Sequence, residues 1–314
     1  MKILVTGGAG FIGSWVVDLL VDEGHSVVVV DDLSTGSKSN LNRKAKFYKL
    51  DIRTPGLEKV FSREQPEVVC HLAAQTSIAT SIETPRFDAD VNIIGSVNLM
   101  EASRHYGVKR FVFASSVAVY GEPEYLPCDE VHPTNPLSPY GVTKNTVEHY
   151  LYVYWINFKL NYVVLRFTNI YGPRQDPLGE AGVVAIFSYQ MLNGKQVVIN
   201  GDGNQERDFM FAADAAAGVV AAIKSPTGAE PHRHPLSSTY NLGTGEATSI
   251  TTLFDHFSTL ASYNRHPLHG PARPGEIYGM TVDNSKAKKD FAWEPKTPLL
   301  EGLQQTVEWF KKKK

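Results

Sequence analysis

The 314-residue chain is predicted to fold as an α/β protein, a doubly wound parallel sheet with a smaller C-terminal α/β lobe. Three observations predict it. Short, almost wholly apolar runs alternate with amphipathic helical stretches through the first half, the pattern of a parallel sheet covered by helices on both faces. A glycine-rich turn lies between the first run and the first helical stretch. After about residue 172 Pro and Gly become frequent, and irregular stretches at 173–182, 200–208, 225–238 and 265–279 separate the helices, which marks a second lobe facing the carboxyl ends of the strands.

Taken in order, residues 3–6 read as a buried strand and residues 11 to about 23 as an amphipathic helix. Strands follow at 26–30, 47–50, 68–72 and 111–115, with helical patterns at 56–63 and 88–106 between them. Beyond a proline-rich loop, a helix over 139–158 leads to a strand at 162–167. Right-handed crossovers join such strands into one parallel sheet. A helix at 211–223 and a strand at 239–242 return to the first lobe. The expected division is therefore 1–171 plus about 210–243 for one lobe, and about 172–209 plus 244–314 for the other.

Composition excludes several function classes. Hydrophobic residues make up 42% and charged residues 20%, which excludes a disordered chain. Thirty-one Lys+Arg against thirty-three Asp+Glu give a net charge of −2, so neither nucleic acid nor an anionic membrane is an expected partner. The one charge run, four lysines at 311–314, reads as a solvated tail. Cys70 and Cys128 form no disulfide framework, and no Cys/His spacing reads as a metal site. The N-terminal apolar stretch is too short for a signal peptide, and no run approaches the roughly 18 residues of a membrane helix; a cytoplasmic protein is expected.

The turn Thr6-Gly7-Gly8-Ala9-Gly10-Phe11-Ile12-Gly13 follows a strand and opens a helix. Glycines at 7, 10 and 13 let the backbone approach a pyrophosphate, and the N–H groups of the helix start, Phe11 and Ile12 included, face the phosphates. Asp31 ends the second strand, eighteen residues after Gly13, where a carboxylate accepts from a ribose diol. A 2′-phosphate would meet like charge from Asp31 and Asp32, so NAD is expected rather than NADP. Tyr140 and Lys144 are four apart and share a helix face. An ammonium beside a phenol favours the phenolate, so Tyr140 is expected to accept a hydroxyl proton with a lowered pKa. Ser116, after the fifth strand, stands at the sheet edge where ligands bind and shares the proton path.

The Gly7-x-x-Gly10-x-x-Gly13 spacing with Tyr140-Gly-Val-Thr-Lys144 downstream resembles the extended short-chain dehydrogenase/reductase family, and most closely its nucleotide-sugar 4-epimerases of the UDP-glucose 4-epimerase kind. Further matching segments run along the whole chain, among them His71-Leu72-Ala73-Ala74-Gln75, Ser115-Ser116-Val117, Asn169-Ile170-Tyr171-Gly172, Arg207-Asp208-Phe209 and Arg273-Pro274-Gly275-Glu276. The resemblance implies a Rossmann sheet holding NAD tightly. It implies that Asp51 and Ile52 flank the adenine, and that Leu72, Ala73, Ala74, Gln75 and Ser115 line the cofactor channel. Asn92 is grouped with them, although it reads more as a tie between the sheet and a neighbouring backbone. Lys144 is implied to hold the nicotinamide ribose. Asn169, Arg207 and Arg273 are implied to grip the nucleotide diphosphate, Glu276 the uridine ribose, and Met280 to bound the sugar pocket. A homodimer through the helices at 88–106 and 139–158 is implied as well, consistent with the aromatic surplus of Tyr150, Tyr152, Tyr154, Trp155 and Phe158.

Relatives that dehydrate or decarboxylate carry acidic residues just after the serine of the fifth strand, where this chain has Val117 and Ala118. Relatives that epimerise at C3 and C5 place a Cys–His pair there, and Cys128 is out of register. The expectation is therefore 4-epimerisation of UDP-glucose/UDP-galactose through a transient 4-keto sugar with no net redox. Epimerisation of UDP-N-acetylhexosamines, UDP-uronic acids or UDP-pentoses, and net reduction of a 4-keto nucleotide sugar, are the alternatives.

Overall fold

Strands form where β-branched and aromatic residues run together: Val27, Val28, Val29 and Val30 are successive residues and all buried. The computed structural model describes residues 1–177, 182–225, 234–272 and 277–313. In it the first half forms β1 (Lys2–Thr6), α1 (Phe11–Asp22), β2 (Ser26–Asp31), β3 (Lys46–Lys49), α2 (Gly56–Glu64) and β4 (Val68–His71). There follow α3 (Ile78–Glu83), α4 (Pro85–Ala89), a π-helical turn (Asp90–Ile94), α5 (Gly95–His105), β5 (Arg110–Ser116), α6 (Pro139–Phe158) and β6 (Tyr162–Phe167). The second half adds β7 (Asn169–Tyr171), α7 (Val183–Leu192), β8 (Val198–Asn200), β9 (Glu206–Phe211), α8 (Ala212–Lys224), β10 (Thr239–Leu242), β11 (Ala247–Ser249), α9 (Ile250–Ala261), β12 (Leu268–Gly270), β13 (Gly279–Met280), α10 (Ser285–Phe291) and α11 (Leu299–Lys312).

Seven strands make one parallel sheet in the order β10-β6-β5-β4-β1-β2-β3. Alternate side chains go to opposite faces, and both faces are covered. Ile3, Val5, Val27 and Val29 pack against Val16, Val17 and Leu20 of α1 and Val219 of α8. Leu4, Val28 and Val30 pack against Phe61 of α2, Leu99 of α5 and Leu151 of α6. Burying each such side chain is worth about 1.5–3 kcal/mol. Strand order reverses between β1 and β4, and a crevice at such a reversal, outside the carboxyl ends, is where open α/β sheets bind ligands.

The second lobe is built on β9, which pairs with β7, β11 and β13, and on an apolar cluster from α7, α9 and α11. Only Thr168 separates β6 from β7, so the small sheet starts at the carboxyl edge of the large one. Where the periodicity predicts one helix over 88–106, the chain makes α4, the π turn and α5 instead. A π turn holds more residues than a 3.6-residue repeat accommodates, so it is invisible to that repeat. Its effect is to turn the buried Asn92 inward.

Candidate active site

The glycine turn has the shape of a phosphate cradle. Gly7 has φ +70°, and a Cβ there would lie 2.7 Å from the Ala73 nitrogen. A Cβ at Gly13 would lie 2.1 Å from the Gly7 carbonyl oxygen, whereas one at Gly10 would meet only that oxygen, at 3.1 Å. The turn is thus packed shut on two sides and open along Gly10. The half-buried Phe11 and Ile12 begin α1 just beyond it. The Gly10 N-cap has no side chain to accept from the first helical N–H groups, which suits an anion. Asp31 lies beside it: Oδ2 accepts from the Ala9 N–H at 3.0 Å and Oδ1 from the Leu33 N–H at 2.8 Å. Burial raises its carboxyl above the usual range, while those two bonds pull it back down. Each oxygen keeps a further lone pair for a ribose hydroxyl. Asp32 is exposed and accepts from the N–H and hydroxyl of Ser34, so it is Asp31 that faces the cradle. These residues fit a dinucleotide.

Ser116, Tyr140 and Lys144 come together at the same edge of the sheet. Ser138 caps α6 by accepting from the Gly141 N–H at 3.1 Å, and Pro139 occupies the first turn, a favourable helix start. That start sets Tyr140 in the first turn and Lys144 one turn on. The Ser116 hydroxyl accepts from the Ala118 N–H at 3.2 Å and acts on the Tyr140 phenol in the direction that lowers its pKa. Lys144 Nζ donates to the Ala114 carbonyl at 2.7 Å and stands 5.7 Å from the centre of the Tyr140 ring. The sequence-based expectation of a lowered phenol pKa is reversed in the structure. Loss of water around the phenol pushes it up to about 12, opposed by the Ser116 hydroxyl and reinforced by the charge of Asp88. Burial drives Lys144 down to about 8, with Asp88 and Glu148 pulling it back up.

The other expected site residues fall into place unevenly. Ala73 donates its N–H to Thr6 Oγ1 at 3.2 Å, and Leu72 donates to the Thr6 carbonyl at the same distance, so the β4 loop lies against the cradle; Ala74 follows, half-buried. Asp51 is held below the usual carboxylate range by Arg53, which also reaches Asp90. Ile52 is buried and touches the position of Gly95. The Ser115 hydroxyl points to Glu148, toward α6. Asn169 begins β7 two residues past Phe167, the register partner of Ser116. Arg207 lies on the adjacent strand, donating to the Glu206 carbonyl at 2.7 Å, and is the register partner of Met280. Met280 is buried with Val117, Val119 and Cys128, whose sulfur is 4.0 Å from its own. Arg273 and Glu276 lie outside the described residues.

Several functional neighbours escape a sequence reading. The fully buried Asp88 gathers donors from Gln75, Asn92 and Thr143. His71 bridges Thr6 Oγ1 and Ser96 Oγ, each at 2.8 Å, and burial pushes it down to about 3, so it stays neutral. Asp208 holds the turn after β10 by accepting from the N–H groups of Thr244 and Gly245. The one sequence signal for Asp88 was its place three residues after a proline, opposite α6.

Known proteins resemble this chain along its whole length. The chain is 45% identical to a UDP-glucose 4-epimerase of Thermotoga maritima whose crystal structure holds UDP-glucose; the TM-score is 0.94, covering 100% of this chain and 99% of that one. It is 40% identical to the Thermus thermophilus UDP-glucose 4-epimerase solved with NAD, with a TM-score of 0.91 and 99% of both chains covered. A UDP-glucose 4-epimerase of Mycolicibacterium smegmatis is 41% identical over 319 residues, which is 100% of this chain and 99% of the relative. The cradle, the trio and end-to-end likeness to these proteins converge with a family match over residues 3–243: the chain belongs to the NAD dependent epimerase/dehydratase family.

Proposed function

We propose that the protein is an NAD-dependent 4-epimerase interconverting UDP-glucose and UDP-galactose. The observation that carries this reading is the Ser116–Tyr140–Lys144 cluster at the sheet edge, followed by Val117 and Ala118, which offer no acid or base for dehydration. When bound, NAD supplies a reversible hydride acceptor with a formal positive charge. Tyr140 takes the proton of the sugar 4-hydroxyl, with Ser116 sharing the proton and Lys144 as a cation favouring the phenolate. After the 4-keto sugar has turned about its diphosphate link, Tyr140 returns the proton on the other face. Gly7, Gly10, Phe11, Ile12, Gly13 and Asp31 hold the dinucleotide, with Asp51, Ile52 and the 72–75 loop beyond. Asn169, Arg207, Arg273 and Glu276 grip the nucleotide, and Met280 bounds the hexose. The division of labour is residues 1–171 with about 210–243 for NAD, and about 172–209 with 244–314 for the nucleotide sugar.

The test is incubation with a panel of UDP-sugars without added cofactor, following C4 inversion by NMR. Inversion of UDP-glucose and UDP-galactose is expected, with NAD copurifying through gel filtration. Turnover only with added NAD(P)H, giving net reduction, would refute epimerisation; preference for UDP-N-acetylglucosamine would refute the substrate choice.

The same reading includes a homodimer and a cytoplasmic location. Val142, Tyr150, Val153, Ile156 and Phe158 on α6, and Phe87 and Ile94 beside it, are large apolar side chains exposed at 40–49%. A face of this kind favours a second copy. Cys70 and Cys128 are buried and unpaired, in keeping with a reducing compartment, and no helix among the described residues is long and apolar enough to cross a membrane. Sedimentation should read twice the 34.7 kDa chain mass, and Val153→Glu with Ile156→Glu should return a monomer; a wild-type monomer would sink the dimer.

A further inference from the structure

We propose that Asp88 is a positioning residue for the catalytic trio: its buried carboxylate anchors Thr143, between Tyr140 and Lys144, and sets the pH range over which the pair works. The proposal rests on the assignment of proton transfer to Tyr140.

Asp88 is 0% exposed on a five-residue helix, α4, which packs on α6. Oδ1 accepts from Gln75 Nε2 at 2.7 Å and Asn92 Nδ2 at 3.1 Å, and Oδ2 from the Thr143 hydroxyl at 3.0 Å. Three segments that carry site residues therefore meet on one carboxylate: the loop after β4, the π turn and the first turn of α6. Asn92 closes the cluster by donating to Thr143 Oγ1 at 3.1 Å and to the Gln75 carbonyl at 3.0 Å. A buried charge fixed by three donors acts on its neighbours through little water.

The groups facing this carboxylate and its targets come from five elements. Tyr140, Lys144 and Glu148 lie on α6. His71 on β4 faces Lys144 and is neutral. On the π turn Asp90 points out to Arg53, and on α3 and α4 Glu83 and Arg86 are exposed. Glu148 is taken up by Arg166 and acts on Lys144 alone of the pair; Asp88 acts on both, keeping the phenol protonated and the amine charged.

Asp88→Asn isolates the charge. The amide oxygen can still accept from Gln75 and Asn92. Its NH2 can donate to Thr143, whose own proton turns to the Tyr140 carbonyl at 2.9 Å. Both limbs of the kcat/KM pH profile should move to lower pH, by about one unit, so that the variant outperforms the wild type on the acid side and falls behind on the alkaline side. Thr143→Val keeps the carboxylate and removes one donor that screens it; both limbs should move the other way. It remains the deciding readout should Asp88→Asn not fold. A uniform fall in kcat with the limbs in place would make Asp88 merely structural and overturn the proposal. Substantial turnover by Tyr140→Phe would instead refute the underlying assignment of proton transfer.

Discussion

Tyr140→Phe should lower kcat by about 10²–10⁴-fold, the usual worth of a placed acid–base group, while the purified protein still carries NAD and binds UDP. The ring that lies over Lys144 remains, and only the hydroxyl is lost. Because the phenol stands at about 12, it holds its own proton at neutral pH and accepts another only once positive charge gathers round it and favours the phenolate. Below its pKa of about 8 Lys144 is such a charge, and it loses its proton as the pH rises through that value. Activity should therefore decline on the alkaline side. A Phe variant with near wild-type turnover in single-turnover NMR would rule out Tyr140 as the proton acceptor.

Glu148→Ala should lower stability by about 3–5 kcal/mol, and the melting temperature by roughly 10 °C. Arg166 is 1% exposed, and Glu148 receives its Nε at 3.1 Å and its Nη2 at 2.7 Å. Removing the carboxylate leaves a guanidinium with no counter-charge in the sheet's interior, where its remaining neighbours are the Glu130 carbonyl at 3.3 Å and the Tyr120 ring. The double change Glu148→Leu, Arg166→Met takes both charges away and should recover most of the loss, as buried pairs replaced by apolar groups commonly do. Thermal unfolding of the two variants distinguishes a costly orphan charge from a pair that contributes strongly of itself; equal destabilisation would favour the latter.

Much of this molecule was legible in its sequence, for a physical reason. β1, β2, β4, β5 and β6 are short runs with both faces buried, and the glycine turn admits no other residue at Gly7 or Gly13, so chemistry and pattern coincide there. The trio was visible because Tyr140 and Lys144 share one helix face and Ser116 ends a strand. What stayed hidden depends on contacts between distant elements. β7, β11 and β13 have two or three residues each, too few for any repeat, and exist because β9 offers them edges. The π turn breaks the helical period, and Asp88 looks in the sequence like an ordinary helix-start acid. The expected direction of the Tyr140 shift failed because an ammonium four residues away was weighed without the cost of taking a phenol out of water.

β10 is the outermost strand of the seven-stranded sheet beside β6, yet the chain reaches it only after β7, α7, β8, β9 and α8. Its Leu242 carbonyl receives the Thr168 N–H at 3.1 Å, at the very point where the polypeptide departs for the small sheet. Exit and return are thus stitched together. No single cleavage yields an excisable half with a finished edge: a fragment ending at residue 168 would expose the flank of β6 as an open template for other chains. Grafting a different sugar-recognising end onto this frame must therefore proceed by altering loops within the excursion, since exchanging whole modules would remove the strand that seals the frame.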